Sequence, residues 1–206
     1  MSTPTSTKRA RRTQAERSAA TRAAVVAAAR ALFAERGYAA VGTEEIVRRA
    51  GVTRGALYHH FAGKRELLEA VYEQIEGEIT EAIAAGALSG PDPIEALRGG
   101  AGAFLDHCLE PEVQRIVLLD APAVLGWERW REIGAKYGLG LVEAALAAAM
   151  ESGAIQRQPV RPLAHVLMGA LDEAAMVVAR ADDPRAARAE MEAVLGGLLD
   201  GLRDRR

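Results

Sequence analysis

Arg54, Gly55, Tyr58 and His59 fall on one side of a short segment whose other side is Ala56, Leu57 and Phe61. An arginine, a glycine, a tyrosine and a histidine fill a core badly, but they suit the bases and phosphates of a nucleic acid. An arginine fork matches guanine O6 and N7, a pairing worth about 1–3 kcal/mol in base discrimination. Gly55 removes a side chain where a backbone would approach DNA closely. The plain alternative is a solvated helix in an α-helical protein. Two other groupings contain the residue types of covalent or metal chemistry. Asp106-His107-Cys108 holds a cysteine nucleophile and a base, yet helical neighbours point about 100° apart and cannot converge on one reacting atom. His59-His60 fails as a metal pair for the same reason, and no cysteine or carboxylate cluster completes a ligand set. No phosphate-binding glycine loop, dinucleotide fingerprint or serine nucleophile elbow occurs. Neither an enzyme nor a cofactor is expected.

The elements that must position the outward residues are marked by local punctuation. Thr43, after Gly42, is expected to cap a helix, with Glu44 and Glu45 in its first turn, where the dipole favours carboxylates. Ile46, Val47 and Ala50 give that helix a buried face. Gly51 permits the left-handed backbone of a sharp turn, and Thr53 can cap the next helix. Residues 43–61 thus read as a helix-turn-helix, followed by Lys64 opening a further helix.

The matching residues extend beyond the turn. Ala29, Leu32 and Phe33 precede Gly37-Tyr38; Val41-Gly42-Thr43 leads to Ile46; Gly51-Val52 leads to Leu57-Tyr58-His59-His60-Phe61; Lys64 and Leu67-Leu68 follow. This run, from about Arg22 to Val71, resembles the TetR/AcrR family of bacterial transcriptional regulators without a gap, over roughly a quarter of the chain. The resemblance implies that Arg54, Gly55 and Ala56 face base edges, while Thr43, Tyr58, His59 and Lys64 hold the phosphate backbone, with Thr53 among the DNA-binding positions. It implies a homodimer with a separate ligand-sensing domain, and it names no effector. Glu44 departs from members that carry a basic residue there. A carboxylate cannot pair with phosphate, so the first helix is expected to offer Thr43 and its dipole, leaving more of the readout to Arg54.

Charge divides the chain independently of any family. Up to Arg65 there are 13 Lys plus Arg against 4 Glu, a net +9; from Glu66 onward 13 Lys plus Arg meet 24 Asp plus Glu, a net −11. A basic head attracts a polyphosphate and an acidic body does not. Residues 1–17, with Lys8, Arg9, Arg11 and Arg12, are expected to be an unstructured basic arm, either lying along DNA or acting as a solubilising tail. Residues 18–66 form the expected head and 67–206 the expected helical effector-binding and dimerisation domain.

The chain is 50% hydrophobic with few aromatics, and its abundant Ala, Leu, Glu and Arg favour an all-α architecture. A long helix is expected over 64–84, a break at Gly90-Pro91-Asp92-Pro93, a helix through Ile94–Cys108, another over 111–125 interrupted near Pro122, and separate segments over 127–137 and 141–150. The lone Cys108, a polar and basic amino end and the absence of a bilayer-length apolar run place the chain in the cytoplasm, off the membrane. Phe104, Leu105, Trp127, Trp130, Met168 and Glu173 are the candidate lining of an effector pocket, and Asp106, His107 and Asp120 are further polar residues in apolar stretches; ordinary packing or surface exposure is the alternative for each. The last two helices, 162–181 and the stretch after Asp182-Asp183-Pro184, are apolar on more than one face. They would form a four-helix bundle between two subunits, unless both faces are buried within one. A dimer places two recognition helices about 34–36 Å apart, one turn of a palindromic double-stranded operator. A regulator without a small-molecule ligand, or an activator, fits the same residues.

Overall fold

Thr13 and Glu16 start the first helix with a capping box: the Thr13 hydroxyl accepts from the Glu16 amide at 3.2 Å, and the Glu16 carboxylate accepts from the Thr13 amide at 2.7 Å. Helix α1 (Gln14–Arg36) therefore begins inside the segment expected to be an arm over 1–17. A polar first turn has no apolar periodicity to announce it. This computed structural model describes residues 13–86 and 92–203; the rest of the basic arm and the Gly90-Pro91 part of the expected break lie outside them.

The fold is all-α, with a helix-turn-helix head and a helical body. After α1 come α2 (Thr43–Ala50), α3 (Arg54–His60) and α4 (Lys64–Gly86). The body continues with α5 (Pro93–His107), α6 (Pro111–Val113), a π-helical segment (Gln114–Asp120), α7 (Ala121–Leu125), α8 (Trp127–Glu151), α9 (Val160–Arg180) and α10 (Pro184–Gly201). Asp92 caps α5 by accepting from the Ile94 amide at 2.9 Å, with Pro93 in the first turn. Asp183 caps α10 through the Arg185 and Ala186 amides, both at 3.1 Å.

One expectation is refined and one changes. The interruption expected near Pro122 is a change of helix type: the turns from Gln114 to Asp120 widen, and the Ala121 amide donates to Ile116, five residues back. Pro122 has no amide to donate and sits in the first turn of α7, where none is needed. The segments 127–137 and 141–150 are one helix, α8, because Gly138 and Gly140 do not interrupt it. Gly138 serves packing instead, since a Cβ there would meet Met168 Cε at 3.3 Å.

One core joins head and body. Val25, Ala29, Leu32 and Phe33 of α1, Ile46 of α2 and Leu57 of α3 pack with Leu67, Leu68, Val71 and Ile75 of α4, and the same cluster continues through Ile116, Leu118, Trp130 and Ile133. A smaller cluster gathers Ile94, Leu97, Leu146, Met150, Ala164 and Leu199 at the far end of the body. Within the larger cluster Trp130 Nε1 donates to the Val117 carbonyl at 2.8 Å, and the Tyr72 hydroxyl donates to the Trp130 carbonyl at 3.1 Å. The widened turn is thereby tied to α4 through two buried hydrogen bonds.

By length and mean hydropathy alone, α8 and α9 would each suffice to cross a bilayer, although charged residues interrupt both and neither is the uninterrupted apolar run that the sequence lacks. Their apolar residues serve several surfaces at once: the two core clusters, a cavity between them and, at Val166, an exposed outer face.

Trp130→Phe keeps an aromatic ring but removes the donor to Val117, leaving a buried carbonyl unpaired. This is expected to cost about 1–3 kcal/mol in denaturant unfolding. A loss within a few tenths of a kcal/mol would show that the π-helical carbonyl finds another partner.

Candidate functional site

Three local features aim the outer side of α3. Gly51 closes α2 in the left-handed conformation at φ +66°. Thr53 accepts from the Ala56 amide at 3.2 Å. Leu57 and Phe61 are buried in the head core. Arg54, Gly55, Tyr58 and His59 are consequently exposed, and Ala56 is half-buried at the edge. Gly55 is not demanded by the protein's own packing, because a Cβ there would meet nothing closer than Thr53 Oγ1 at 4.0 Å.

Arg54 Nη1 lies 3.0 Å from Glu44 Oε1, with both side chains largely exposed, and its guanidinium sits 5.5 Å from the Tyr58 ring centroid. A surface ion pair of this kind is worth little, so it orients Arg54 without withdrawing it. Glu44 is thus a partner of Arg54 and not merely a missing cation. The Tyr58 phenol, hydrogen-bonded by Thr43 and beside Arg54, titrates below the usual tyrosine range.

Thr43 is not the cap of α2: Gly42 is, with no side-chain hydrogen bond, and Thr43 is the first helical residue. Its hydroxyl is used across the turn, on Tyr58. Lys64 also has partners within the head. Its ammonium donates to the carbonyls of Tyr38 at 2.9 Å and Val41 at 2.8 Å, 4.0 Å from the Tyr38 ring centroid. Two of its three donors are therefore committed inside the head, and burial holds its pKa below the usual lysine range. Arg48, which the sequence reading does not single out, is the more available cation: its guanidinium is largely exposed and its nearest carboxylate oxygen, on Glu45, is 3.8 Å away. The excess of basic residues in the head is the only sequence signal for it.

Side chains latch the head to the body. Asp120 Oδ2, at the end of the π-helical segment, accepts from the Tyr38 amide at 2.7 Å. Arg65 donates to the carbonyls of Val124 at 3.3 Å and Leu125 at 3.0 Å. Arg30 of α1 bridges Glu112 and Glu78, each at 2.7 Å. Asp120 is therefore a head–body tether and not a pocket residue.

A cavity of about 110 Å³ lies in the body between α4, α5, α8 and α9. Of the candidate pocket residues, Phe104, Trp130 and Met168 line it. Leu105, Trp127 and Glu173 do not: Leu105 is fully buried in the core, Trp127 is half-exposed and stacked 4.9 Å from Trp130 by centroids, and Glu173 is exposed. Asp106 pairs with Arg188 at 2.9 Å, His107 pairs with Glu110 at 2.7 Å, and Cys108 is buried with its thiol pushed up by desolvation. They share no reaction centre. The polar residues that do line the cavity lie outside the expected set: Tyr72, Glu76 and Thr80 from α4, and Asp172 from α9. Burial raises the Glu76 carboxyl to about 7, against the lowering by the Tyr72 hydroxyl and with a further rise from Asp172. Asp172 is raised by burial to about 6, Arg131 pulling it down from 3.4 Å. Among the described residues no cluster of His, Cys, Asp or Glu could hold a metal ion.

Comparison with known proteins gives two family matches. Residues 25–71 match "Bacterial regulatory proteins, tetR family", and residues 94–202 match "Tetracyclin repressor-like, C-terminal domain". The chain is 28% identical over 196 residues to the transposon Tn10 TetC protein of Escherichia coli, covering 93% of this chain and 97% of that one. A crystal structure of a TetR-family transcriptional regulator from Pectobacterium atrosepticum is 38% identical, with a TM-score of 0.82 over 93% of this chain and 98% of that chain. RolR, solved in complex with resorcinol, shares the fold at a TM-score of 0.73 and 22% identity, over 94% of this chain and 97% of that chain.

The cavity carboxylates link stability to pH. A folded pKa of about 7 for Glu76, above its ordinary 4.5, means the protonated form is favoured in the fold. The stability this group supports is full below about 4.5 and is lost as pH rises through about 7. Glu76→Gln, which has no proton to lose, is expected to melt above the wild type at alkaline pH and alongside it at mildly acidic pH, by circular dichroism. A variant less stable at alkaline pH would contradict the assignment.

Proposed function

The chain belongs to the TetR family of bacterial transcriptional regulators, which are DNA-binding proteins and not enzymes, and we propose that it is a ligand-responsive repressor that binds a palindromic operator as a homodimer. The observation that carries this reading is the outer side of α3, where Arg54, Tyr58 and His59 are exposed while Leu57 is locked in the core. Arg54 reads a base, with Gly55 and Ala56 letting the helix sit close; Thr43, Thr53, Tyr58, His59 and the third donor of Lys64 approach the sugar–phosphate backbone. The match of the body to a repressor-like C-terminal domain supports repression, by occupation of promoter DNA. Such a protein works in the cytoplasm, where the DNA is.

Dimerisation is supported by an apolar face left without a partner. Val166 of α9 and Val194 and Leu198 of α10 are 68%, 59% and 54% exposed, and Gly197 beside them faces open space. The neighbouring Gly196 serves the subunit's own packing. A Cβ there would clash with the Arg98 guanidinium, so the glycine lets Arg98 cross α10 to Asp200. Pairing α9 and α10 with their copies would cover the exposed face as a four-helix bundle and set the two α3 helices one turn of duplex apart.

Ligand control has a material route. α4 runs from the head, at Lys64, to the cavity wall at Tyr72, Glu76 and Ile79, about 18 Å along its axis to Glu76. The π-helical segment runs from the wall residues Val117 and Leu118 to Asp120 and its hold on Tyr38. An effector shifts the head by as much as its affinity differs between the two arrangements. The fold neighbour RolR was solved with resorcinol, and a ligand of comparable size suits this cavity.

Arg54→Ala is expected to relax sequence choice at one position per half-site in a selection from random duplexes, at a cost of about 1–3 kcal/mol for the preferred base. An unchanged consensus would remove Arg54 from base readout. Leu198→Glu is expected to convert a dimer into a folded monomer in sedimentation at micromolar concentration; a wild-type chain that sediments as a monomer would rule out the assembly.

A further inference from the structure

The cavity has two carboxylates in its wall, Glu76 and Asp172, and no Lys, Arg or His among the described residues that line it. Glu76 is buried, and no cation bears on it. Asp172 is offset only by Arg131, from behind, at 3.4 Å. The rest of the wall is mostly apolar or aromatic, with Trp130 and Phe104 presenting ring surface.

Ligands of different charge fare differently here. An anion meets two carboxylates and no cationic donor. A neutral ring fills the apolar space but offers the Glu76 carboxyl no charge to pair with, so the group stays protonated and buried. A cation supplies a counter-ion and gains further from an aromatic face. Its own desolvation is offset by pairing with Glu76, which has no cationic partner in the fold and gives up its proton as the cation binds.

We propose that the cavity selects a small, largely apolar amine bound as a cation, with Glu76 as its counter-ion and Asp172 as the second carboxylate. This rests on the reading of the cavity as the effector site. The volume of about 110 Å³ is on the order of that which holds one benzene-sized ring, so the class is an amine carried by a single ring or a short branched chain. Binding holds Glu76 ionised and therefore draws off a proton near neutral pH. Burial and Asp172 on α9 raise its titration and the Tyr72 hydroxyl on its own helix lowers it, with Arg131 of α8 acting on Asp172.

The test uses the full chain and three ring compounds of nearly equal size: benzylammonium, benzyl alcohol and benzoate, titrated by calorimetry at neutral pH. Benzylammonium is expected to bind about tenfold or more tighter than benzyl alcohol, and benzoate not at all. The gap between the first two should collapse in Glu76→Gln and shrink in Asp172→Asn, with circular dichroism showing both variants folded. Equal binding of the cation and the alcohol, binding of benzoate, or a gap that survives both substitutions would overturn the charge assignment while leaving the cavity as a ligand site. If none of the three binds, the cavity reading falls and this inference falls with it. If benzylammonium binds with the expected preference but leaves operator affinity unchanged, the ligand class stands and the effector role fails.

Discussion

The structure depends on α4 belonging to two packing environments at once. Leu67, Leu68 and Val71 are buried in one cluster with residues of α1, α2 and α3, and Tyr72 and Glu76 face the body cavity barely a turn later. Close-packed interiors transmit displacement because their side chains have few alternative arrangements. A helix packed in this way is a continuous physical link between the cavity wall and the head. The latches of Asp120, Arg65 and Arg30 close a second connection beside it. The polarity of the arrangement is set by charge: a basic head carries the surface that meets a polyanion, and the acidic body keeps out of it.

Within the head, stability and function draw on different residues of the same short helices. Leu57 and Phe61 fix α3, while Arg54, Gly55, Tyr58 and His59 make few demands on the core. The outer residues are thus free to vary with the operator at little cost to folding. Lys64 sits on the other side of that division: its two carbonyl acceptors staple the segment between α1 and α2 to the start of α4.

What is legible in the sequence is local. The turn at Gly51, the cap at Thr53, the cap at Asp92 and the outward face of α3 are each decided by residues within a few positions of one another, and the structure has them where the spacing puts them. What is not legible depends on partners distant in the chain. Lys64 reads as a free cation until Tyr38 and Val41 come beside it from 26 and 23 residues away. Glu76 and Asp172 look like ordinary polar positions on long helices, and only the meeting of α4 with α9 puts both into one cavity. The sequence pattern points to Glu173 in place of its neighbour Asp172; one helical step of about 100° separates an exposed residue from a cavity wall. The glycines of α8 read as breaks because a glycine that ends a helix and one that admits a neighbour have the same letter.

The central claim is that the exposed side of α3 recognises a particular duplex. Its most direct test is equilibrium competition between the DNA upstream of the chain's own coding region and a scrambled duplex of equal length, with the purified full chain at moderate salt and no added effector. The account predicts a preference on the order of a thousandfold or more for the upstream DNA. Indistinguishable affinities for the two duplexes would contradict it.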